Sequence, residues 1–170
     1  NGSTLRSVAK SGRSGTSRQN GPRDAEDFVS LHAGCTERSG RHRTETMIRQ
    51  RIFTLRPRRR GLHLVTDEIV ANLPPLPRTG MLHLFLRHTS AGLTLTENAD
   101  PDVRTDLERI LDRLVPERCA DYAHTLEGVD DMPAHAKATL TGCEMTIPIV
   151  DGRLGLGTWQ GICLCEFRNR

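Results

Sequence analysis

Seven histidines punctuate the 170-residue chain, and three of them keep polar company. His88 lies in His88-Thr89-Ser90-Ala91-Gly92, just after an apolar run. His124 lies in Tyr122-Ala123-His124-Thr125-Leu126-Glu127-Gly128, and His135 in Asp130-Asp131-Met132-Pro133-Ala134-His135-Ala136-Lys137. Each falls at the end of an expected element or in a loop, where scaffolds display reactive groups. His63 and His83 sit among apolar residues and read as structural imidazoles, while His32 and His42 belong to the N-terminal segment. The His135 position reads as the first turn of a helix, where the dipole favours neutral imidazole. Neutral imidazole is the form that ligates a metal or accepts a proton. Three such groups suit a catalytic metal with one open position. Their spacing, 36 and then 11 residues, matches no short metal motif. The residues therefore leave two readings open, a metal site or three hydrogen-bonding imidazoles.

Acids gather around the same histidines: Glu97, Asp100, Glu127, Asp130 and Asp131. They read either as helix caps or as a cation site whose carboxylates orient the imidazoles. Lys137 is the only lysine after Lys10 in a chain with 22 arginines, which hints at a compact, titratable ammonium. Leu156-Gly157-Thr158-Trp159-Gln160-Gly161 holds the only tryptophan. Its glycines let backbone N–H groups approach an anion, and Trp159 offers a ring to stack on. A glycine-bounded bend around a core Trp is the alternative.

The elements that must position these groups can be read from periodicity. Met47 to Leu55 is expected to be a first strand, ended by Arg56-Pro57-Arg58-Arg59-Arg60-Gly61, which reads as a solvated turn. Thr66 is expected to cap a short helix whose apolar stripe is Ile69, Val70 and Leu73. Met81 to Leu86 reads as a strand buried on both faces, and Leu93 to Thr96 as a half-exposed one. Asp100-Pro101 opens the clearest helix, with Val103, Leu107, Ile110, Leu111 and Leu114 as its inner stripe and Arg104, Glu108, Asp112 and Arg113 on its wet side. A second helix starts at Asp130 or Asp131 and ends near Gly142. Glu144 to Val150 is a strand, Asp151-Gly152 a hairpin turn, and Leu154 to Trp159 and Gly161 to Phe167 complete the sheet. Six or seven strands with two or three helices, not regularly alternating, give an α+β domain: a compact, largely antiparallel sheet or sandwich.

Charge and composition bound the function. Residues 1–46 hold 8 basic and 5 acidic groups, and residues 47–170 hold 16 of each. With no basic excess in the folded part, nucleic acid is not the expected partner. No apolar run is long enough to cross a bilayer, so no membrane association is expected. Five cysteines with no CxxC spacing read as reduced thiols in a cytoplasm-like compartment. Residues 1–46 contain nine apolar-class residues and no sustained period, and are expected to be a disordered or non-native tail, with the domain running from 47 to 170. The acid-free, Arg- and Ser-rich residues 1–23 also have the composition of a transit peptide.

Several of these stretches together resemble the YjbQ-like family, described as secondary thiamine-phosphate synthases. The matching segments are His88 to Ala91, Glu97-Asn98-Ala99-Asp100-Pro101, His124 to Gly128, Asp130 to Lys137, and Leu156 to Gly161 with Cys165-Glu166. The resemblance runs from about Met47 to Arg168. Phe167 stands where many members have His, and Gly92 where Ser or Ala is common. The resemblance implies a homotrimer with a site where His88, His124 and His135 gather. It also implies a weak activity joining a pyrimidine methyl pyrophosphate to a thiazole phosphate.

On that reading the three histidines hold a divalent metal, Zn²⁺ or another transition ion, with Mg²⁺ the ordinary partner of the synthase reaction. His88, His124, His135, Glu97 and Lys137 are the expected catalytic groups. Thr89, Ser90, Asn98, Glu127, Asp130, Asp131, Thr158, Trp159 and Gln160 would bind a phosphorylated small-molecule substrate. Imidazole suits a transition metal better than Mg²⁺. Metal-assisted hydrolysis of a phosphorylated molecule, or metabolite binding without turnover, therefore stands beside the transfer reaction.

Overall fold

The structure is a computed structural model and describes residues 28–37 and 45–169. The elements follow in the order β1 (Phe28–Glu37), β2 (Glu45–Thr54), β3 (Gly61–Leu64), α1 (Thr66–Asn72), β4 (Thr79–Leu86), β5 (Ala91–Glu97), α2 (Pro101–Leu114), α3 (Asp131–Thr141), β6 (Glu144–Val150), β7 (Arg153–Leu154) and β8 (Gln160–Glu166). Every described pairing is antiparallel. One sheet has the order β2-β1-β4-β6-β7 and the other β3-β8-β5. The class is α+β, as expected. Among the described residues, no helix is long and apolar enough to cross a membrane.

The β8 sequence explains the layering. Ile162 and Leu164 face one way and join Leu82, Leu84, Leu86, Ile147 and Ile149 of the larger sheet in the main core. Cys163 and Cys165 face the other way and join Ala134, Ala138 and Phe167, with Leu107 and Leu111 packed against them. The molecule therefore has three layers, the larger sheet, the smaller sheet and the α2/α3 pair, and β8 is apolar on both faces because it lies in the middle. The expectation of burial on both faces for Met81 to Leu86 is corrected. Leu82, Leu84 and Leu86 are buried, but Met81 and Phe85 are exposed, because no described layer covers the outer face of the larger sheet.

Other local expectations shift for identifiable reasons. Thr66 does not cap α1; Val65 occupies the cap position, and the Thr66 Oγ1 accepts from the Ile162 backbone N–H at 2.8 Å. The hydroxyl is worth more to the sheet than to a seven-residue helix. Val70 is exposed, leaving Ile69 in the core with Leu73 packed against it. Asp100 does cap α2, accepting from Asp102 N at 2.8 Å. The inner face of α2 is rotated from the one the apolar pattern marks. Ile110 and Leu114 are exposed, while Asp112, expected on the wet side, turns toward α3. The cause is Lys137, whose buried ammonium needs an acid beside it. Residues 155–159 form a loop and turn in place of the expected strand.

β1 lies within the stretch 1–46 expected to be a tail. It pairs with β2 from Phe28↔Thr54 to Glu37↔Glu45 and with β4 from Val29↔Leu86 to Cys35↔Gly80. Backbone pairing requires no sustained apolar period, so composition carries little sign of it. Residues 1–27 and 38–44 lie outside the described residues.

Two glycine signals hold. Gly142 ends α3 with a φ of +87°, and Asp151-Gly152 turns β6 into β7 with φ values of 48° and 78°. Left-handed positions of this kind favour Gly, with Asp the tolerated partner.

Candidate functional site

α3 begins with Asp131, and His135 follows one turn later on the same face. The loop that precedes α3 brings His124 over both. His124 Nε2 lies 2.6 Å from Asp131 Oδ2, and His135 Nε2 lies 3.6 Å from the same oxygen. The two rings meet edge to face with centroids 5.6 Å apart. One donor atom from each of His124, Asp131 and His135 lies within 4.8 Å of the others. The Asp131 side chain is 2% exposed, against 47% for His124 and 34% for His135, so a sunken carboxylate faces two accessible imidazoles.

Hydrogen bonding sets the tautomers. His135 Nδ1 is 2.9 Å from the Thr89 carbonyl oxygen. A carbonyl only accepts, so Nδ1 carries the proton and the neutral ring presents its lone pair at Nε2. That lone pair faces the carboxylate oxygen. That oxygen already has the His124 Nε2 partner at 2.6 Å, and a proton or a cation would fit between it and His135 Nε2. His88 is set the other way. Its Nδ1 accepts from the Ser90 backbone N–H at 3.1 Å, with Ser90 Oγ at 3.3 Å, so the neutral ring carries its proton on Nε2.

Arg168 locks the carboxylate from behind. Its guanidinium pairs with Asp131 Oδ1 and with Asp130 Oδ2 at 3.0 Å, and it donates to the Glu127 carbonyl at 3.0 Å. Asp130 also accepts from Asn169 N at 2.9 Å. Burial alone would raise the Asp130 carboxyl, but the Asn169 N–H and the Arg168 charge outweigh it and hold it below the usual aspartate value. With neutral imidazoles, two carboxylates and one guanidinium leave a net negative charge at this spot, which favours a cation.

The expected site residues divide among three places. His124, His135 and Asp131 come together, with Asp130, the Glu127 backbone and the Thr89 carbonyl around them. His88 and buried Ser90 flank Thr89, but His88 is not part of the close donor group. Asp131 takes the third place that the sequence assigned to His88. Lys137 is also elsewhere. Its side chain is 2% exposed, and its Nζ lies 2.5 Å from Asp112 Oδ1. Two residues beyond His135, it points to the opposite side of α3. Asp112 also pairs with Arg60 at 2.5 Å. Desolvation would raise the Asp112 carboxyl, but Lys137 and Arg60 together hold it below its ordinary value.

Glu97, Asn98, Thr158, Trp159 and Gln160 collect at the far end of the smaller sheet. Asn98 Nδ2 donates to the carbonyls of Thr158 and Gln160 at 3.1 and 3.2 Å, and Glu97 pairs in register with Gln160. β5 separates this end from Thr89 by about 20 Å at the usual rise per strand residue. Arg168 was missed by sequence reasoning. Its only signal is a charged residue two positions after a strand buried on both faces.

The residues of all three places fall within one family match. Residues 51–170 match the family model described as UPF0047 protein YjbQ-like. The UPF0047 protein YjbQ of Salmonella typhimurium is 54% identical over 121 residues, covering 70% of this chain and 87% of that protein. The UPF0047 protein sll1880 of Synechocystis is 48% identical over 122 residues, covering 71% of this chain and 83% of that one. Among solved structures, the conserved hypothetical protein TT1486 of Thermus thermophilus superposes with a TM-score of 0.58 at 40% identity, covering 65% of this chain and 84% of that one. The chain belongs to the YjbQ-like UPF0047 family.

Proposed function

From this family membership and the site's geometry we propose that His124, Asp131 and His135 hold a divalent transition metal used in the hydrolysis of a phosphorylated small molecule. The observation that carries the reading is the Asp131 Oδ2 atom facing two imidazole nitrogens. Two imidazoles and one carboxylate are a common donor set for zinc and its neighbours. The bound metal would supply Lewis-acid polarisation of a phosphoryl oxygen. The chain's own residues do the rest. Arg168 fixes the Asp131 carboxylate, the Thr89 carbonyl fixes the His135 tautomer, and His88, once converted to imidazolium, would give a proton to a leaving oxygen and return to its neutral form.

Hydrolysis is placed ahead of the transfer reaction implied by the family resemblance. Transfer must hold two phosphorylated rings and a departing pyrophosphate. Lys137, the cation expected to help, is buried against Asp112, and Arg168 is already paired with two acids. We also propose a homotrimer in a cytoplasmic setting. The exposed Ile52, Met81, Phe85 and Val150 on strands of the larger sheet support assembly, and the four described cysteines are free thiols.

The test is metal content and Zn²⁺ titration of the purified protein beside three variants. Asp131→Asn and His135→Ala should lose stoichiometric metal, and His88→Ala should keep it. With the parent loaded, phosphate release from a phosphomonoester panel should depend on the metal and fall in His88→Ala. Metal retained in Asp131→Asn and His135→Ala, or no metal in the parent, would overturn the proposal. Light scattering should give three times the 18.9 kDa chain mass.

A further inference from the structure

Chemistry-bearing residues gather at both ends of β5, about 20 Å apart at the usual rise per strand residue. At one end lie His124, Asp131 and His135. At the other lies a cavity of about 360 Å³ lined by Leu95, Thr96, Glu97, Trp159 and Gln160. Each end leaves groups open. The two imidazoles are accessible, and the chain's only Trp is 66% exposed on the cavity wall. Among the described residues the Glu97 carboxylate has no ion pair and takes only the Asp100 N–H, at 3.4 Å.

The loop that carries His124 supplies a counterpart to the cavity. Leu126, two residues after His124, is 99% exposed, and Val129 is exposed as well. Leu126 stands between two pinned neighbours. His124 Nε2 is 2.6 Å from Asp131 Oδ2, and the Glu127 carbonyl takes Arg168 Nη2 at 3.0 Å. The leucine is therefore held out from the molecule. The cavity wall is pinned too, by Asn98 N donating to the Trp159 carbonyl at 3.0 Å and by Gly157 N donating to Gln160 Oε1 at 2.8 Å. A projecting leucine suits a recess walled by another leucine and an indole, which gain by leaving water together. Within one chain the two lie at opposite ends of β5, so only a second copy can join them. Two residues of extended chain span about 7 Å. Leu126 seated in the cavity of a second copy thus brings His124 beside that copy's Glu97 and Gln160, and no other occupant returns both groups to one place.

We propose that Leu126 of one protomer docks against Leu95 and Trp159 of a second copy, so that each functional site combines His124, Asp131 and His135 of one chain with Glu97, Trp159 and Gln160 of its neighbour. The proposal rests on the assembly proposed above and adds a contact distinct from the outer face of the larger sheet. The contact joins two unlike patches, so it is heterologous, and it builds a closed ring when the rotation closes. The residues that one chain keeps apart then meet at every contact around the ring.

Disulfide trapping in the full chain tests the contact. Leu95→Cys and Leu126→Cys chains are co-expressed, and the mixed protein is oxidised, digested and mapped by mass spectrometry. A disulfide between positions 95 and 126 should form, and it can only join two copies, because each chain carries one of the two substitutions. The parent and each variant alone give the background from Cys119 and Cys143. Trp159 is an independent reporter, because no other Trp contributes to the fluorescence. Leu126→Asp changes a side chain wholly in water and is safe for folding. It should raise the dissociation constant of the assembly about tenfold or more and shift the Trp emission to the red. An oligomer in light scattering that gives no bond between positions 95 and 126, or whose Trp emission is indifferent to Leu126→Asp, would overturn this contact and leave the assembly reading standing. A monomer would overturn both. Trapping requires no metal, so failure of the metal reading leaves these results intact.

Discussion

Removing Asp112 should destabilise the protein far more than removing Lys137, although the two share one ion pair. The Lys137 side chain is 2% exposed and Asp112 is 43% exposed. Asp112→Ala leaves a buried ammonium without its carboxylate, a change that costs about 3–5 kcal/mol when a buried pair is broken from one side. Lys137→Met keeps the volume of the site and leaves Asp112 half in water and still paired with Arg60, so its cost is about 1 kcal/mol, near that of one net hydrogen bond. The double variant should be more stable than Asp112→Ala alone, since the uncompensated charge is gone. Urea unfolding monitored by circular dichroism measures the difference. With a slope of about 2 kcal/mol/M, Asp112→Ala should lower the midpoint by about 1.5–2.5 M and Lys137→Met by about 0.5 M. A Lys137→Met variant that loses as much as Asp112→Ala, or a double variant that loses the sum, would refute the argument that burial asymmetry sets the cost.

Three further outcomes are expected. Asp112 and Asp130 both titrate below the ordinary aspartate value in the folded state, so each contributes stability that is present above about pH 4 and lost as pH falls through the lowered folded values. Urea midpoints from pH 6 to pH 2 should fall mainly below pH 4, and Asp112→Asn should shrink that fall; an unchanged profile would contradict it. Gly92→Ala should destabilise by about 1–3 kcal/mol through overpacking, because its Cβ would lie 2.0 Å from Thr141 Oγ1. Thr141→Ala in the same chain should recover most of that loss, and thermal melts that show no recovery would remove the steric explanation. Finally, Cys163 and Cys165 are fully buried, and the Cys165 thiol is pushed up by its hydrogen bond with Cys163 and then by burial. Among the described thiols, alkylation of the native protein should therefore reach Cys119 and Cys143 first. Early labelling at Cys165 in mass-spectrometric mapping would disprove this.

Local features that depend on neighbours in sequence were legible in the chain. The Asp100 cap, the Gly142 stop, the Asp151-Gly152 turn and the β6 boundaries all rest on interactions spanning a few residues. So did the polar company of His124 and His135, because Asp131 and His135 sit one helical turn apart in the same short stretch of chain. What lay beyond reach were choices between faces and partners. The apolar spacing of α2 marked Ile110 and Leu114 as inward, but Lys137, arriving from α3, needed Asp112 and turned the helix. Thr66 carried every mark of a cap, but Ile162 N, nearly a hundred residues away, had the stronger claim on its hydroxyl.

The same distinction governs the candidate site. By itself the sequence determined the α+β class, the family and the residue types able to do chemistry, because composition, period and motif are properties of the chain alone. Tertiary structure alone decided which of those residues meet. It put Asp131 in the place expected for His88, brought Arg168 behind it, sent Lys137 to the other side of α3 and left Trp159 a strand's length away. The physical reason is directional. A carboxylate or an imidazole acts within about 3 Å along a defined hydrogen-bond direction, and only the packing of one layer against another sets such distances between residues far apart in the chain.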